Sequence, residues 1–595
     1  MKYVAKTVIT LLGAVALWFI WWLTLPTLSL GFIGGFGFIA LVILAIVSDI
    51  CMWASDSDRD RYIFIPIVVV LVVEIVALII GVVISTTLFN ASTMQKQIGE
   101  VEKVEYNEMI KQIDTAQIPI VDEELARKQA DKKIGQDAAL GSRVVLGDAA
   151  IQNVNGEILY VFPLEHTDFF KWNKHRSTPG YITVSASNPN KVEYVTKLGD
   201  ESINIYYSQS SCWGNNLKRH IRNNGYTNMA LTEYTFELNN EGRPYWVVTA
   251  YKNLTVWGNP EAQGVVVVDA QNGEVEYYSM QDAPDWIDII QPSSFIENQI
   301  DNWGTLVHGV FNFADTDKIK KTDLLLTVYV DGHCYYFTGM TSVGADDSCV
   351  GFIMVNTRDK KPKMAYMAGA NENAAMKSAE GLVSNYGYTS TEPLPLNVSG
   401  IPTYVMALKD AEGLIKNYAM VNIDNYSIAA KGATLLETSK NYLQAVTRNS
   451  TTYVVGSDEA YGYDVEGTIK RIANEVQEGS TQYFIVLEEE PEKIFTASYS
   501  VSEELAITQV GDKVKIYYLD SSNGTIDVMA FDNVAFEVTV SDDQQRRDEL
   551  DEGTSALDSK YNQIYEVNPE VSKDFWDGLS EEEKAKLIEQ YLGNE

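Results

Sequence analysis

The first 90 residues of the chain contain three apolar stretches, each long enough to cross a lipid bilayer. They cover residues 7–25, 29–53 and 63–89, and a helix needs roughly 20 residues to span the hydrocarbon core. A cleaved signal peptide would also combine a basic start with an apolar run. No small-residue cleavage site precedes the second stretch, however, and Trp18, Trp21 and Trp22 are typical of a retained helix end at the membrane interface. The sequence therefore predicts a three-span, multi-pass membrane protein.

The basic residues beside the short loops predict the orientation of these helices. Lys2 and Lys6 precede the first stretch, and Arg59 and Arg61 lie between the second and the third, whereas residues 26–28 carry no charge. Lysine and arginine next to a span are retained on the cytoplasmic side, although three lysines between residues 96 and 111 oppose this bias. We expect a cytoplasmic N-terminus in the cell membrane. After an odd number of crossings, the chain that follows the spans is then extracytoplasmic.

One acidic residue, Glu74, lies within the third apolar stretch. An ionisable side chain is costly in the hydrocarbon core and is often functional there. Glu74 is either hydrogen-bonded or kept protonated inside the three-helix bundle, or it belongs to a proton or ion pathway. The first interpretation is favoured, because the spans supply no cationic partner.

The rest of the 595-residue chain is too long for one hydrophobic core, so several domains are expected. Its 34 tyrosines and abundant apolar residues favour packed, strand-rich structure over disorder. The formal charge of −35 argues against nucleic acid as a partner and against docking on an anionic leaflet, because both require lysine and arginine patches. The same charge favours basic partners.

Residues with catalytic or metal-binding chemistry are few and scattered. The sequence has no nucleophile elbow, no phosphate-binding loop and no metal-ligand spacing among its five histidines, His166, His175, His220, His308 and His333. We therefore predict no enzyme activity, no catalytic residue, no cofactor and no metal. Residues 165–172 and 208–213 are rich in aromatic and polar groups. They either line a peptide or glycan groove or are ordinary rim loops and core aromatics.

The four cysteines also lack metal-ligand spacing. Cys51 lies in a span and Cys212 stands alone. Cys334 and Cys349 are expected on neighbouring strands, where they form either a disulfide or two separate buried thiols.

An internal repeat recurs about four times after the spans. Each copy predicts a helix, a strand, a tight turn and an aromatic-rich strand, and the turns are Asn155-Gly156, Glu241-Gly242, Asp331-Gly332 and Ser399-Gly400. Glycine supplies the positive φ that a tight hairpin needs. The helices are expected at residues 122–130, 213–224, 293–313 and 371–386. A helix laid on an antiparallel sheet is an α+β unit.

The pattern is most complete in the second copy, where a second hairpin follows the first. Its markers are Gly242, Pro244, Tyr245, Asp269, Asn272 and Gly273. This arrangement resembles the PepSY domain of bacterial envelope proteins, and the resemblance extends over residues 115–430. It implies an extracytoplasmic module that binds or inhibits other proteins, is attached to membrane helices and has no catalytic constellation of its own.

A different unit follows the repeats and a linking helix at residues 434–446. Five alternating strands, with a non-strand segment at 502–508, predict a small OB-like barrel. OB folds bind oligonucleotides through basic grooves and stacked aromatics, but Glu488, Glu489, Glu490 and Glu492 crowd one strand end here. A structural or protein-binding barrel is therefore favoured. The acidic tail predicts helices that either pack back on the body or dock a partner.

The predicted architecture is a membrane-anchored α+β protein. Its segments are a three-span region (1–90), a helical stalk (91–135), four repeats (136–205, 206–290, 291–368 and 369–450), an OB-like barrel (451–540) and an acidic helical tail (541–595). The expected function is non-enzymatic binding or inhibition of envelope proteins or peptides, with the lipid bilayer as a further partner and self-association as a further expectation. Two alternatives stay open. One is a cell-envelope morphogenesis scaffold, similar in outline to cell-shape-determining proteins, and the other is an accessory subunit of a membrane transporter or hydrolase that uses Glu74 or a cleft that the sequence does not reveal.

Overall fold

The computed structural model describes residues 2–54, 64–111, 118–344, 348–449, 463–477, 480–499, 501–518 and 525–534. The chain forms two compact units, Met1–Gly462 and Tyr463–Glu595, and each is described by itself. The helices predicted for the acidic tail lie outside the described residues, as do Arg59 and Arg61.

Three N-terminal helices are long and apolar enough to cross a membrane, as predicted. They are α1 (Lys2–Thr24), α2 (Ile33–Ala54) and α3 (Phe64–Ile84). Most of their large apolar side chains are exposed on the outside of the bundle, as expected of surfaces that face lipid. The third helix ends before its predicted end, because a turn at Ser85 and Thr86 separates it from the next helix.

The segment predicted as a helical stalk does not form one. It contains α4 (Thr87–Gln95), β1 (Glu102–Lys103), α5 (Tyr106–Met109) and α6 (Glu123–Gly135). β1 pairs with a strand of the body, and Tyr106, Met109 and Ile110 are buried in the body's core. Burial of each such apolar side chain stabilises the fold by roughly 2 kcal/mol. This gain from burial exceeds the free energy that a solvated helix, as the charge pattern indicated, would contribute.

The body that follows contains four larger sheets, here called sheets 1 to 4, which are antiparallel except where β1 joins sheet 3. Sheet 1 is formed by β2, β3, β4, β6 and β7 and sheet 2 by β11 to β14. The elements of this half are α7 (Ala138–Gly141), β2 (Val144–Leu146), β3 (Ala150–Val154), β4 (Glu157–His166), α8 (Phe169–His175), β5 (Thr178–Pro179), β6 (Tyr181–Ser185), β7 (Val192–Val195), β8 (Lys197–Leu198), β9 (Glu201–Ser202), β10 (Asn204–Ile205), α9 (Leu217–Asn223), β11 (Ala230–Leu238), β12 (Pro244–Asn253), β13 (Pro260–Asp269) and β14 (Val275–Ser279).

Sheet 3 is formed by β15, β16, β17, β19 and β20 together with β1, and sheet 4 by β22 to β26. The elements of this half are α10 (Ser293–Thr305), β15 (Ile319–Lys321), β16 (Leu326–Val330), β17 (His333–Ser342), β18 (Ser348–Cys349), β19 (Gly351–Asn356), β20 (Pro362–Ala365), β21 (Gly369–Ala370), α11 (Glu372–Gly381), β22 (Thr389–Ser390), β23 (Leu394–Val398), β24 (Ile401–Lys409), β25 (Ile415–Asn422), β26 (Ala429–Gly432) and α12 (Leu435–Asn449). The helix predicted over 293–313 ends early, because His308 and Gly309 have positive φ, which an α-helix excludes.

The four sheets pack in two pairs. Sheets 1 and 2 share one core, which includes α9, and sheets 3 and 4 share another, which includes α11. On β19, Phe352 and Met354 face the core that sheet 3 shares with sheet 4, whereas Ile353 and Val355 face α10 on the other side, as the alternation of strand side chains requires. The core of sheets 3 and 4 also includes side chains of α5, and α6 and α10 pack against sheets 1 and 3.

The second unit is a closed five-stranded barrel with the strand order β27-β28-β29-β31-β30. The non-strand segment predicted at 502–508 contains a short 3-10 helix at Glu503–Ala506. All neighbouring strands are antiparallel except β29 and β31, which are parallel. The strands are β27 (Tyr463–Gln477), β28 (Ser480–Leu487), β29 (Ile494–Ser498), β30 (Lys513–Tyr518) and β31 (Thr525–Asn533).

Candidate functional site

Three of the four predicted hairpin turns are two-residue turns with positive φ at both positions. They are Asn155-Gly156, Asp331-Gly332 and Ser399-Gly400, and this conformation is the type I′ turn that matches the twist of the flanking strands. The second copy differs. Leu238 pairs with Pro244 there, so the turn is longer and has Gly242 at positive φ.

Turns from three different sheets meet at one end of the body. The Asn155 side chain donates from Nδ2 to Asn240 O at 2.9 Å, which links the turn of sheet 1 to that of sheet 2. The Asn153 Nδ2 donates to Gly332 O at 3.3 Å and links sheet 1 to sheet 3. Separate sequence repeats therefore form one continuous surface, here called the turn face.

A cavity of about 490 Å³ opens beside the turn face, between sheets 1, 3 and 4. Its apolar lining includes Ile158, Val328 and Leu396. Across its rim, Lys111 Nζ lies 2.6 Å from Asp331 Oδ2, and the hydrogen bond to this carboxylate raises the pKa of the Lys111 ammonium. Among the described residues that line the cavity, no nucleophile is paired with a base.

The turn face lies far from the membrane helices. Strand β12 begins at the turn of sheet 2 and ends at Asn253, whose Nδ2 donates to Gly31 O, between α1 and α2, at 2.8 Å. A strand of 10 residues extends about 30 Å. The turn face and the membrane helices are therefore at opposite ends of sheet 2.

Trp257, in the loop between β12 and β13, joins the body to the membrane helices. Its Nε1 donates to Leu30 O at 2.9 Å, its backbone N donates to Ser85 Oγ at 3.0 Å, and its ring lies 5.1 Å from that of Phe36. Leu30 precedes α2 and Ser85 follows α3. The side chain and backbone of one residue thus bring the α1–α2 turn and the end of α3 to the same side of the bundle.

The two aromatic segments singled out in the sequence come together beside the end of α1. The backbone N of His166 donates to Ser210 Oγ at 3.0 Å. From these segments, Phe169 and Trp213 line a groove of about 420 Å³ together with Trp22 of α1. This groove is here called the membrane-proximal groove. A groove was one of the two interpretations of these segments in the sequence, but only the packing of the two segments beside Trp22 forms this one.

Two basic residues of α9, Lys218 and Arg219, complete the groove. The Arg219 Nη2 donates to Trp22 O at 3.1 Å, and its guanidinium carbon lies 4.0 Å from the centre of the Trp22 ring. Burial lowers the pKa of both side chains. Sequence reasoning missed this pair, because two adjacent cations in a short helix have no distinctive spacing.

The membrane helices contain two carboxyl groups, of which sequence reasoning identified one. Glu74 lies on α3, and its Oε1 is buried without a hydrogen-bond partner. Asp49, on α2, was missed. Its Oδ1 accepts from Thr10 Oγ1 of α1 at 2.5 Å, and the same hydroxyl accepts from Trp53 Nε1 at 3.1 Å.

The cysteines and histidines form no shared site. All four cysteines are free, and Cys334 and Cys349 are separate buried thiols. Burial raises the pKa of Cys334 to about 12 and also raises that of Cys349. Within the described ranges, no group of three or more His, Cys, Asp or Glu side chains is placed to hold a metal ion.

Comparisons with known proteins show no family for this chain. No protein-family model matches it, and neither does a curated protein. Among solved structures, a levansucrase mutant from B. megaterium is similar at a TM-score of 0.16 and 9% sequence identity, over 72% of this chain and 95% of the levansucrase chain. A TM-score this low carries no argument about fold or function.

Proposed function

We propose that this protein holds a non-enzymatic binding body on the extracytoplasmic side of the cell membrane, and that the body binds envelope proteins or peptides at its turn face. The cavity of about 490 Å³ beside that face carries the proposal. Apolar side chains line its interior and the exposed Lys111–Asp331 pair lies at its rim. Such a lining suits an extended segment that inserts apolar side chains and places one charged group at the rim.

The orientation is supported by the position of Trp257. Because Trp257 contacts both Leu30 and Ser85, the α1–α2 turn and the end of α3 lie on the side of the body. The basic residues Lys2 and Lys6 lie at the opposite end of α1 and favour the cytoplasmic side. The body is then extracytoplasmic.

We interpret sheets 1 to 4 as four PepSY-like repeats and the closed barrel as OB-like. Each sheet contains two successive hairpins, which supports a common repeat unit. The order β27-β28-β29-β31-β30, with a parallel β29–β31 pair, supports the OB assignment. The glutamates at 488–490 favour a protein partner for the barrel over a nucleic acid.

The alternatives have less support. The morphogenesis scaffold rested partly on a charged helical stalk, whereas the described residues of that segment, 91–111 and 118–135, form separate elements, of which α5 is buried in the core of sheets 3 and 4. The transporter or hydrolase subunit rests on Glu74 or on a cleft, and the substitution Glu74→Gln tests the role of Glu74.

The orientation is tested by labelling a cysteine placed at Tyr426, an exposed residue of sheet 4, in a chain that carries Cys212→Ser. The remaining cysteines are buried. A membrane-impermeant maleimide is expected to label intact cells stripped of outer layers. Protection of this cysteine until lysis would show a cytoplasmic body.

Binding is tested by replacing Lys111 with a photoreactive benzoylphenylalanine and irradiating cells. We expect discrete adducts with extracytoplasmic proteins or peptides, weakened several-fold when Asp331→Lys is added. The matched control carries the same photoreactive residue at Lys320, an exposed lysine of β15 that pairs with Thr341, at the end of β17 opposite the Asp331-Gly332 turn. Equal adducts at both positions, or none at position 111, would contradict the proposed binding site.

A further inference from the structure

Exposed apolar side chains of the body gather on the elements that touch the membrane helices. Phe170 on α8 is 79% exposed and Trp213 is 58% exposed. Leu254 and Val256, in the loop that carries Trp257, are exposed as well. Single exposed apolar residues are ordinary on a protein surface. A group of them beside the Trp22 end of a membrane-spanning helix marks the level of the membrane interface.

These side chains are contiguous with the membrane-proximal groove. The Trp213 ring lies 5.9 Å from that of Trp22, and the Phe169 ring lies 5.7 Å from that of Phe170. Phe169 and Trp213 both line the groove. The groove therefore opens where the acyl chains and headgroups of the adjacent leaflet meet.

The charge of the groove is opposite to that of the chain. The whole protein carries a formal charge of −35, yet Lys218 and Arg219 line the groove and none of its described lining residues is acidic. Within the described part of the chain, neither cation forms a salt bridge with a carboxylate. Net charge argued against docking on an anionic leaflet, but the local charge at the membrane favours it.

We propose that this groove binds the headgroup phosphate of an anionic phospholipid in the leaflet next to the body. Lys218 and Arg219 contact the phosphate, and Phe169, Phe170 and Trp213 lie in the interfacial layer around it. The Arg219 guanidinium is held in place by Trp22, so little side-chain freedom is lost when the lipid binds. This inference depends on α1 spanning the membrane and is independent of any ligand at the turn face.

The test uses the full chain, relipidated in nanodiscs of equal parts phosphatidylglycerol and phosphatidylcholine and then released for native mass spectrometry. We expect retained phosphatidylglycerol to exceed phosphatidylcholine, and Lys218→Gln to reduce that excess several-fold. The matched control is Lys197→Gln. Lys197 is an exposed lysine at the other end of sheet 2 from the membrane helices, because its neighbour Leu198 lies near Gly242 at the turn end of that sheet.

Arg219→Gln is expected to have the larger effect, but it also removes the contact with Trp22. Its melting temperature is therefore compared with that of the wild type. If Arg219→Gln is unstable, the test relies on Lys218→Gln, because the Lys218 side chain makes no hydrogen bond in the described part of the chain. Equal retention of the two lipids, or an unchanged excess in Lys218→Gln, would overturn the proposal. Complete displacement of the lipid by inorganic phosphate would also overturn it and indicate a free-anion site.

Discussion

The Gln152 side chain and the Leu238 backbone form a reciprocal pair of hydrogen bonds. Gln152 Nε2 donates to Leu238 O at 2.6 Å, and Leu238 N donates to Gln152 Oε1 at 2.9 Å. The same Nε2 also donates to Trp286 O at 2.9 Å, and Gln152 is fully buried. One side-chain amide thus takes the place of a neighbouring strand at the end of β11. It joins sheet 1, sheet 2 and the segment that follows sheet 2.

Replacing Gln152 with leucine is expected to lower the free energy of unfolding by about 2–4 kcal/mol. The substitution leaves the Leu238 N–H and C=O buried without partners, and each such group costs about 1–3 kcal/mol. Denaturant unfolding of the detergent-solubilised chain measures the difference. Gln136→Leu, at an exposed position at the end of α6, is the matched control. Equal stability of the two variants would show that the reciprocal pair is not structural.

Two buried carboxyl groups predict that stability falls as the pH rises from about 4 to about 8. Burial raises the pKa of Glu237 from 4.5 to about 8 and that of Asp288 from 3.8 to about 6. Glu237 Oε1 accepts from Thr235 at 2.7 Å, whereas its Oε2 is buried without a partner. The folded state therefore holds these protons more tightly than the unfolded state. Their contribution to stability is complete below the unfolded pKa values and is lost as the pH rises to about 8.

Glu237→Gln is expected to flatten this pH dependence and to raise stability at pH 8 by on the order of a few kcal/mol. Melting temperatures of the wild type and the variant, measured from acidic to alkaline pH, isolate the contribution of Glu237 from that of the many surface carboxylates. Parallel profiles for the two proteins would be inconsistent with a buried, protonated Glu237.

The contact between Gly81 and Trp257 predicts that α3 does not tolerate a methyl group at this position. A Cβ on Gly81 would lie 2.3 Å from the Trp257 ring, which is held by its hydrogen bond to Leu30 O. Overpacking of this kind costs about 1–3 kcal/mol. Gly81→Ala should therefore accelerate hydrogen exchange in the loop between β12 and β13. Gly13→Ala, in α1, is the control, because nothing lies within 4 Å of its added Cβ; identical exchange in the two variants would refute the contact.

Glu74→Gln is expected to leave expression and melting temperature unchanged or slightly raised. The Glu74 Oε1 has no hydrogen-bond partner, and an amide is less costly than a carboxylate within a membrane. Asp49→Leu, by contrast, removes the acceptor of the Thr10 hydroxyl and should loosen α1 from α2. Loss of cellular function in Glu74→Gln, with the fold intact, would support the alternative of a transporter or hydrolase subunit.

Local signals in the sequence were sufficient for the elements that depend on local physics. The apolar stretches predict the three helices, because a span must be long and apolar whatever surrounds it. The Asn155-Gly156 and Asp331-Gly332 turns predict hairpins, because few residues adopt positive φ without strain. The five barrel strands follow from alternation in the same way.

Long-range packing decided the features that the sequence did not predict. The charges of Glu102 and Lys103 indicate a solvated segment, yet these residues pair with residues 363 and 364 on a strand that is distant in the sequence. The groove depends on Trp22 and Arg219, which are 197 positions apart in the chain. Neither contact leaves a periodic pattern in one segment, so no window of sequence could have indicated it.

The pairing of β1 with sheet 3 determines where the body can be separated from its membrane anchor. A soluble fragment that begins at residue 118 would leave the edge of β20 unpaired and would remove Tyr106, Met109 and Ile110 from the core of sheets 3 and 4. An uncovered strand edge beside a depleted core favours aggregation. Gln97 also donates to Pro260 O at 2.9 Å. The folding unit of the body therefore begins no later than Gln97, between the end of α3 at Ile84 and the start of β1.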